Sequence, residues 1–326
     1  MKHKLKKVQL GNAGIEVTPV GMGTLTMGFS QKNLPVEDGA AVIVHAAEMG
    51  INFFDTAQYY DTYRYLRPAL DEMERRGIPS PVICSKTLAP DYEGTVSAVH
   101  ECLEKLNLSS IDIFLLHEVR GVTDFLSRQD AWKALQDLKK EGLIHAIGIS
   151  THHVDACRKM ADEQACDVVF PLINKAGLGI RNEEKPGTRD EMEAAIKVCS
   201  DAGKGIFTMK AFGGGNLIRD YRSCLDYVSH IPGNNAVMIG MADFDQVDKA
   251  VDYFTGDLHP DYEPDITGKH LMVDQSDCEG CGTCKARCVS QAIFWNENGL
   301  AEIDQTKCVH CGYCAPVCPV RAIIFL

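Results

Sequence analysis

The chain has 326 residues, of which 45% are hydrophobic, and a formal net charge of -12 at pH 7. This length allows one large domain and a small one, and the negative charge disfavours nucleic acid as a partner. The apolar runs are far shorter than the roughly 18–20 residues that cross a bilayer, and no apolar segment of a signal peptide follows the basic start. We therefore expect a cytoplasmic globular protein without nucleic-acid or membrane partners.

Short apolar runs alternate with amphipathic segments along most of the chain and predict strands and helices in turn. The predicted strands cover residues 17–24, 51–57, 82–87, 112–118, 145–151, 166–174, 205–211 and 236–241. The predicted helices cover residues 36–49, 63–76, 94–106, 129–141, 153–164, 189–202, 219–229 and 243–255. Eight such units in roughly 250 residues fit an α/β fold of the (β/α)8 TIM-barrel type. The alternative is a doubly wound sheet, whose G-x-G-x-x-G turn is matched only in part by "GMGTLTMG".

Four polar residues stand at or just after the ends of the predicted strands, where TIM barrels carry their chemistry. Asp55 and Tyr60 follow the second strand, Lys86 ends the third, and His117 ends the fourth. An ammonium beside a phenol stabilises the phenolate and lowers its pKa, and a carboxylate holds the ammonium in place. With His117 to orient a carbonyl, this set predicts protonation of a carbonyl oxygen as hydride reaches the carbon.

Several segments carry a resemblance to a known family over about residues 8–255. They are, in order, "LGNAGIEVTPVGMGT", "FFDTAQYY", "ICSKT", "LLHEV" and "IGIST". Together they resemble the aldo-keto reductase family. The resemblance implies the catalytic tetrad Asp55, Tyr60, Lys86 and His117, with Tyr60 rather than Tyr59 as the acid. It also implies a small carbonyl substrate and NADPH or NADH as the hydride donor.

The expected cofactor contacts match the family's pattern only in part. The residues expected to contact the cofactor are Gly23, Thr24, Ser150, Asn174, Met209, Lys210, Gly213 and Gly214. Ser150 agrees with the family, whereas Thr151 and Phe170 replace its Asn and Gln. FMN is therefore an alternative, with Lys210 facing the pyrimidine edge of a flavin and the glycines cradling a phosphate. A solvated lysine at the rim and a flexible loop explain the same residues equally well.

Eight of the fourteen cysteines lie in two runs near the end of the chain. Both runs have the spacing C-x2-C-x2-C-x3-C, in which the fourth cysteine binds the cluster of the other run. We therefore predict one [4Fe-4S] cluster on Cys278, Cys281, Cys284 and Cys318, and a second on Cys308, Cys311, Cys314 and Cys288. A zinc site is the alternative, but zinc usually takes two C-x2-C pairs separated by a longer gap. Residues from about 270 to 326 resemble a bacterial-type 2[4Fe-4S] ferredoxin, which implies a small α+β domain.

These patterns divide the chain into a barrel at 1–258, a linker at 259–276 and a ferredoxin-like iron–sulfur domain at 277–326. An extended linker of about twenty residues reaches roughly 65 Å at about 3.3 Å per residue. It is therefore long enough to bring the small domain over the mouth of the barrel as a lid.

Three functions are compatible with this organisation. The first is an aldo-keto-reductase-type oxidoreductase that reduces a small carbonyl with NADPH or NADH and has two clusters for electron transfer. The second is a flavin-dependent reductase on the same barrel, fed by a redox partner protein through the clusters, because clusters pass single electrons and a flavin can split a pair. The third is an electron-transfer or scaffold protein with an inactive barrel, and the intact tetrad argues against it.

Overall fold

The computed structural model describes residues 4–183 and 185–326. The strands are β1 (Val8–Gln9), β2 (Glu16–Val17), β3 (Val20–Gly23), β4 (Phe53–Asp55), β5 (Val82–Thr87), β6 (Ile111–Leu116), β7 (Ile144–Thr151), β8 (Val168–Pro171), β9 (Arg181–Asn182), β10 (Lys185–Pro186), β11 (Gly205–Thr208), β12 (Ala236–Gly240), β13 (Leu271–Val273), β14 (Ile293–Trp295), β15 (Ala301–Ile303) and β16 (Ile323–Phe325). The α-helices are α1 (Val36–Glu48), α2 (Tyr63–Arg76), α3 (Tyr92–Leu106), α4 (Val122–Ser127), α5 (Gln129–Lys140), α6 (Val154–Lys159), α7 (Arg189–Asp201), α8 (Tyr221–Ser229), α9 (Phe244–Thr255) and α10 (Thr283–Arg287).

Strands β3 to β8, β11 and β12 form a closed parallel barrel, and β12 completes it by pairing with β3. The helices between the strands pack around it, so the predicted (β/α)8 fold is confirmed. The short helix α4 was not predicted, and α6 ends at Lys159, short of the predicted residue 164. The amide of Met160 bonds to the carbonyl of Cys157, a three-residue turn that tightens and ends α6.

The first predicted strand, 17–24, is split in the structure. Val17 belongs to β2, which pairs with β1 in an antiparallel hairpin, and the barrel strand begins only at Val20. Pro19 lies between the two and has no N–H to continue a ladder, so the chain changes direction there. The hairpin packs its buried side chains Leu10, Ile15 and Val17 onto the apolar interior of the barrel and closes its lower end.

Aromatic rings fill the interior of the barrel above this hairpin. The ring of Phe207 stacks on Phe170 with 4.3 Å between centroids, and meets Phe53 edge-on at 5.0 Å. All three side chains are buried. The barrel is therefore a packed core with its polar groups at the upper rim, where the strands end.

The cysteine-rich part has its own small core. Its two antiparallel sheets are β13 with β16 and β14 with β15, and the buried side chains of these strands pack together with several cysteines. Because β13 begins at Leu271, its sheet starts inside the segment expected to be a linker, and we place the beginning of this domain there.

The cysteine-rich part, called the iron–sulfur domain after its expected clusters, lies on the mouth of the barrel, at the carboxyl ends of the strands. The amide of Phe325 donates to the carbonyl of Gly214 at 2.9 Å, and Asn216 Nδ2 donates to the carbonyl of Ile323 at 2.8 Å. On the other side of the mouth, Gln31 Nε2 donates to Asp274 Oδ2 at 3.2 Å. Strand β16 therefore rests on the loop that follows β11.

Gly215 marks the closest approach between this loop and β16. Its φ is +83°, and an added Cβ would lie 2.1 Å from the carbonyl oxygen of Phe325. We expect Gly215→Ala to destabilise the fold by clearly more than the roughly 1 kcal/mol that a left-handed alanine costs by itself. Hydrogen exchange of the Phe325 amide should also become faster. Thermal unfolding and hydrogen exchange by mass spectrometry measure the two effects.

Gly256 provides a matched control because it has nearly the same φ, +82°, with open space around its Cβ position. Gly256→Ala should lower the free energy of unfolding only by the roughly 1 kcal/mol that an alanine in the left-handed region costs. Equal effects of the two substitutions would show that β16 does not rest on Gly215.

Candidate active site

The four residues of the predicted tetrad meet at the mouth of the barrel. Asp55 ends β4 and Lys86 lies in β5, and Lys86 Nζ is 2.8 Å from Asp55 Oδ1. The short 3-10 helix Gln58–Tyr60 brings the Tyr60 hydroxyl within 3.5 Å of Lys86 Nζ. His117, just after β6, has its Nε2 3.2 Å from the same hydroxyl. A phenol thus lies between an ammonium and an imidazole.

Buried threonines fix the turn that carries Tyr60. The hydroxyl of Thr62 is 2.8 Å from that of Thr24 and 2.7 Å from that of Thr56. Thr24 also donates to the carbonyl of Asp55, through its amide at 2.9 Å and its hydroxyl at 3.0 Å. Thr24, an expected cofactor contact, is fully buried and instead supports the strand end at Asp55. Sequence reasoning did not identify Thr56 and Thr62. Their position on either side of the predicted acid, in "DTAQYYDT", is the feature that could have indicated them.

Burial dominates the electrostatics of the tetrad. Burial raises the pKa of Asp55, and the neighbouring Lys86 ammonium opposes that change. Burial, followed by the Lys86 ammonium, lowers the pKa of His117 well below its usual range, so the imidazole is neutral at physiological pH. The Lys86 side chain is itself 1% exposed, so the ion pair is shielded from water.

The expectation that Lys86 lowers the pKa of Tyr60 is not met. Burial, followed by the carboxylates of Asp55 and Asp277, raises the pKa of Tyr60 well above its ordinary value. Asp277 belongs to the iron–sulfur domain, so the domain adds to the negative potential at the phenol. The phenol is therefore held in its protonated form, which is the form that an acid catalyst needs.

Three other expected cofactor contacts lie around the mouth. Ser150 is buried near the end of β7, and its Oγ accepts from the amide of Glu118 at 2.9 Å. Met209 follows β11 and packs against the core, and Gly23 ends β3 beside Asp55. These three residues stand at the strand ends that surround the tetrad.

The side-chain amide of Asn174 is hydrogen-bonded within its own loop. Its Nδ2 donates to the carbonyl of Leu178, and its Oδ1 accepts from the amide of Leu178, both at 2.9 Å. The side chain is fully buried and closes the turn that follows β8. In this arrangement neither side of the amide is available to a nicotinamide.

The structure gives Gly213 and Gly214, expected to cradle a phosphate, neighbours from the iron–sulfur domain. The carbonyl of Gly213 accepts from Arg321 Nη2 at 3.0 Å, and the carbonyl of Gly214 accepts from Phe325. A Cβ on Gly214 would lie 2.9 Å from Ile324 Cγ2. The glycines allow close packing against the iron–sulfur domain, which the sequence alone did not indicate.

Lys210 forms the most direct link between the two parts of the chain. Its Nζ lies 2.5 Å from Asp277 Oδ2, and its backbone is left-handed at φ +58°. Burial opposes both charges, but their attraction outweighs it, so the pKa of Lys210 is raised and that of Asp277 lowered. Asp277 was missed by sequence reasoning, although it stands immediately before Cys278. His152 faces the same pair, and burial, followed by Lys210, lowers its pKa to about 3.

The four cysteines of the first predicted set, Cys278, Cys281, Cys284 and Cys318, line one small cavity. Cys314 of the second set interacts electrostatically with Cys284 of the first set and with Cys288 and Cys308 of its own set. The assignment of these cysteines to two clusters stays a prediction. The amides of Ala292 and Ala322 donate to the sulfurs of Cys288 and Cys318 at 3.2 and 3.3 Å. Such N–H···S bonds stabilise thiolate ligands, so the residues present fit the predicted clusters.

Within residues 4–183 and 185–326, no three His, Cys, Asp or Glu side chains converge to hold one metal ion.

A closed parallel barrel with a buried Asp–Lys pair, a tyrosine and a histidine at its mouth defines a TIM-barrel oxidoreductase. A sequence model of the aldo/keto reductase family matches residues 19–230, so the chain belongs to this family. A model of the 4Fe-4S binding domain matches residues 301–324. Both parts of the expected resemblance are thereby confirmed.

Curated relatives align mainly through the barrel. Probable aldo-keto reductase 1 of Glycine max is 28% identical over 247 residues, which are 72% of this chain and 66% of that protein. L-galactose dehydrogenase of Arabidopsis thaliana is 27% identical over 55% of this chain and 59% of its own. Methylglyoxal reductase DkgA of Escherichia coli K12 is 27% identical over 53% and 63%. The chain thus spans about 60 to 66% of the length of these relatives.

Solved structures of the family share the fold. The aldo-keto reductase PA4992 of Pseudomonas aeruginosa has a TM-score of 0.64 at 25% identity, covering 79% of this chain and 98% of that one. AKR11C1 of Bacillus halodurans in its holo form has a TM-score of 0.62 at 19% identity, covering 76% and 90%. Among the described residues, no helix is long and apolar enough to cross a membrane.

Proposed function

We propose that this chain reduces a small carbonyl compound at Asp55, Tyr60, Lys86 and His117, and that two [4Fe-4S] clusters in the domain over the mouth carry electrons. The observation that supports the first part is the placement of the Tyr60 hydroxyl, 3.2 Å from His117 Nε2 and 3.5 Å from Lys86 Nζ. A phenol held between an ammonium and an imidazole is suited to give its proton to a substrate oxygen.

The chain's own residues orient the carbonyl and move one proton. A carbonyl oxygen seated beside Tyr60 accepts a hydrogen bond from the phenol and one from the neutral imidazole of His117. As hydride reaches the carbon, the phenolic proton passes to the oxygen and the product is an alcohol. The Lys86 ammonium then stabilises the phenolate, and Asp55 keeps Lys86 in place.

NADPH or NADH is the proposed source of the hydride, and it would supply two electrons at once. The residues present fit a dinucleotide only in part. Gly23, Ser150 and Met209 remain at the mouth, whereas Asn174 and Thr24 are bonded within the chain. Gly213 and Gly214 are covered by the iron–sulfur domain, so we assign them no cofactor contact.

A flavin-dependent, ferredoxin-linked reductase is the second candidate. The Lys210–Asp277 ion pair favours it, because it places the residue before Cys278 at the mouth that holds the tetrad. FMN would exchange electrons singly with the clusters and in pairs with a substrate. Lys210 would then lie near the flavin, with its partner Asp277 on the iron–sulfur side.

The substrate class is proposed from chemistry and from the relatives. The names of two relatives, methylglyoxal reductase and L-galactose dehydrogenase, indicate that those proteins act on small carbonyl or sugar compounds. We extend this to a small carbonyl substrate here. We also propose a location in the reducing cytoplasm, because the spacing of the eight cysteines near the end of the chain suits metal ligation better than a disulfide framework.

The first experiment is acid release of bound small molecules from anaerobically purified protein, followed by fluorescence titration with NADPH and NADH. Saturable binding of either nucleotide, no released flavin and reduction of methylglyoxal would support the first candidate. Released FMN would support the second. Absence of both, with no reduction of methylglyoxal or other short aldehydes by any donor, would contradict both and favour an inactive barrel.

A further inference from the structure

The two predicted clusters have different surroundings. The contacts that join the small domain to the barrel come from Asp274, Asp277, Arg321 and the strand β16. These residues flank Cys278 and Cys318 in the chain, and both cysteines belong to the first predicted cluster. That cluster is therefore the one next to the tetrad.

The second predicted cluster is bordered by exposed apolar side chains. Val289, Val309 and Tyr313 are each the chain neighbour of a cysteine of this cluster, and they are 65%, 65% and 54% exposed. Exposed apolar side chains grouped in this way are typical of surfaces that bind a partner. We call these three residues, with Arg287 and Lys307, the second-cluster face.

The charge of this face differs from that of the rest of the molecule. Arg287 and Lys307 immediately precede Cys288 and Cys308, and no acidic residue stands within two positions of any cysteine of the second cluster. By contrast, Asp277 and Glu279 enclose Cys278 of the first cluster. Asp304 offsets the charge of Lys307, so Arg287 is the main cation of this face. A cation that pairs with no carboxylate of the described residues, on a chain with a net charge of -12, favours an acidic partner through electrostatic complementarity.

Arg287 is free to meet such a partner. Its guanidinium lies over the ring of Tyr313, 5.5 Å from the centroid, and among the described residues no carboxylate pairs with it. Lys307 is held at 2.9 Å from Asp304 and is itself 64% exposed. The cation–π contact presents one charge and one aromatic ring together, as protein interfaces often do.

We propose that the second-cluster face is the docking site for a small acidic protein that carries single electrons. This rests on the proposed function, in which both clusters are present. One electron would leave the reduced carrier and enter the [4Fe-4S] cluster that Cys288, Cys308, Cys311 and Cys314 would hold, and no bond forms or breaks. The electron then passes to the cluster beside the barrel. Short-lived electron-transfer complexes need only a small interface, and a face of five residues is small enough for such a complex.

Stopped-flow reduction of the anaerobic full-length protein by photoreduced flavodoxin, an acidic one-electron carrier, tests this assignment. The loss of absorbance near 400 nm gives the second-order rate constant. We expect the rate to fall with added salt, and Arg287→Glu to lower it about tenfold at low salt. Arg287→Gln should lower it less, and Lys140→Glu on the exposed surface of α5 should leave it unchanged. Reduced methyl viologen, a small dye, should reduce all variants at the same rate.

Each other result has a definite meaning. No slowing by Arg287→Glu, or equal slowing with methyl viologen, would overturn the docking site while leaving the clusters in place. A salt-sensitive dimer that Arg287→Glu dissociates would assign the face to a second copy of this chain instead. Absence of any bleaching by dithionite in the unchanged protein would be a failure of the proposed clusters, and the docking site would fall with them.

Discussion

Replacing Tyr60 with phenylalanine is expected to lower kcat for carbonyl reduction by about a thousandfold, because general acid catalysis contributes roughly 10²–10⁴-fold. The variant keeps the ring, so packing against His117, whose ring centroid is 5.3 Å away, is retained. The measurement is steady-state reduction of methylglyoxal with the donor identified by the release experiment.

The neighbouring Tyr59→Phe is the matched control. The ring of Tyr59 is 42% exposed and meets Phe29 edge-on at 6.1 Å, away from the tetrad. The Tyr59→Phe variant should keep most of the carbonyl-reducing activity. Both variants should retain the absorbance of the clusters. Full activity in Tyr60→Phe would show that another group protonates the substrate. Loss of activity in both variants would point to a disturbed turn rather than a lost acid.

Pairs of cysteine substitutions are expected to divide into two classes by iron content. If the fourth cysteines are exchanged, Cys318→Ser with Cys281→Ser removes ligands of one cluster, and about half of the iron should remain. Cys318→Ser with Cys311→Ser removes a ligand from each cluster, and nearly all iron should be lost. Iron per protein and absorbance near 400 nm, measured after anaerobic purification, separate the two pairs.

The opposite order would show that each run holds its own cluster. Cys224→Ala is the control for the loss of a thiol, because Cys224 is buried in the barrel against the carbonyl of Leu217. It should retain all the iron. Equal iron in both double variants would mean that serine replaces the ligands or that the clusters do not depend on these cysteines.

The barrel followed from the sequence because its signals are local. Each strand and the helix after it lie within about thirty residues, and the apolar runs alternate with amphipathic segments. The tetrad positions followed for the same reason, since strand ends in a barrel converge whatever the details of packing. Their geometry agrees with the expectation, while their catalytic roles remain predictions.

The features that sequence reasoning missed depend on contacts between distant parts of the chain. Asp277 meets Lys210 across 67 positions, and Phe325 meets Gly214 across more than a hundred. In the sequence, the run Gly213–Gly215 is explained equally well by a loop that binds phosphate and by a loop that leaves space for a neighbouring strand. Only the position of the iron–sulfur domain decides between them. The pKa of Tyr60 is raised mainly by burial and then by Asp55, and Asp277 of that domain adds to the same effect.

The hairpin at the lower end of the barrel has a consequence for the supply of protons. Beneath Lys86 the interior is filled by Phe53, Phe170 and Phe207 and sealed by the hairpin. The residues that the structure describes offer no chain of polar groups through that packed core. Under the proposed mechanism, a phenolate at Tyr60 would therefore be reprotonated from above. The groups on that side are His117, His152 and the Lys210–Asp277 pair. Under the proposed function, electrons and protons would reach the site through the same entrance, and the iron–sulfur domain would border the path of both.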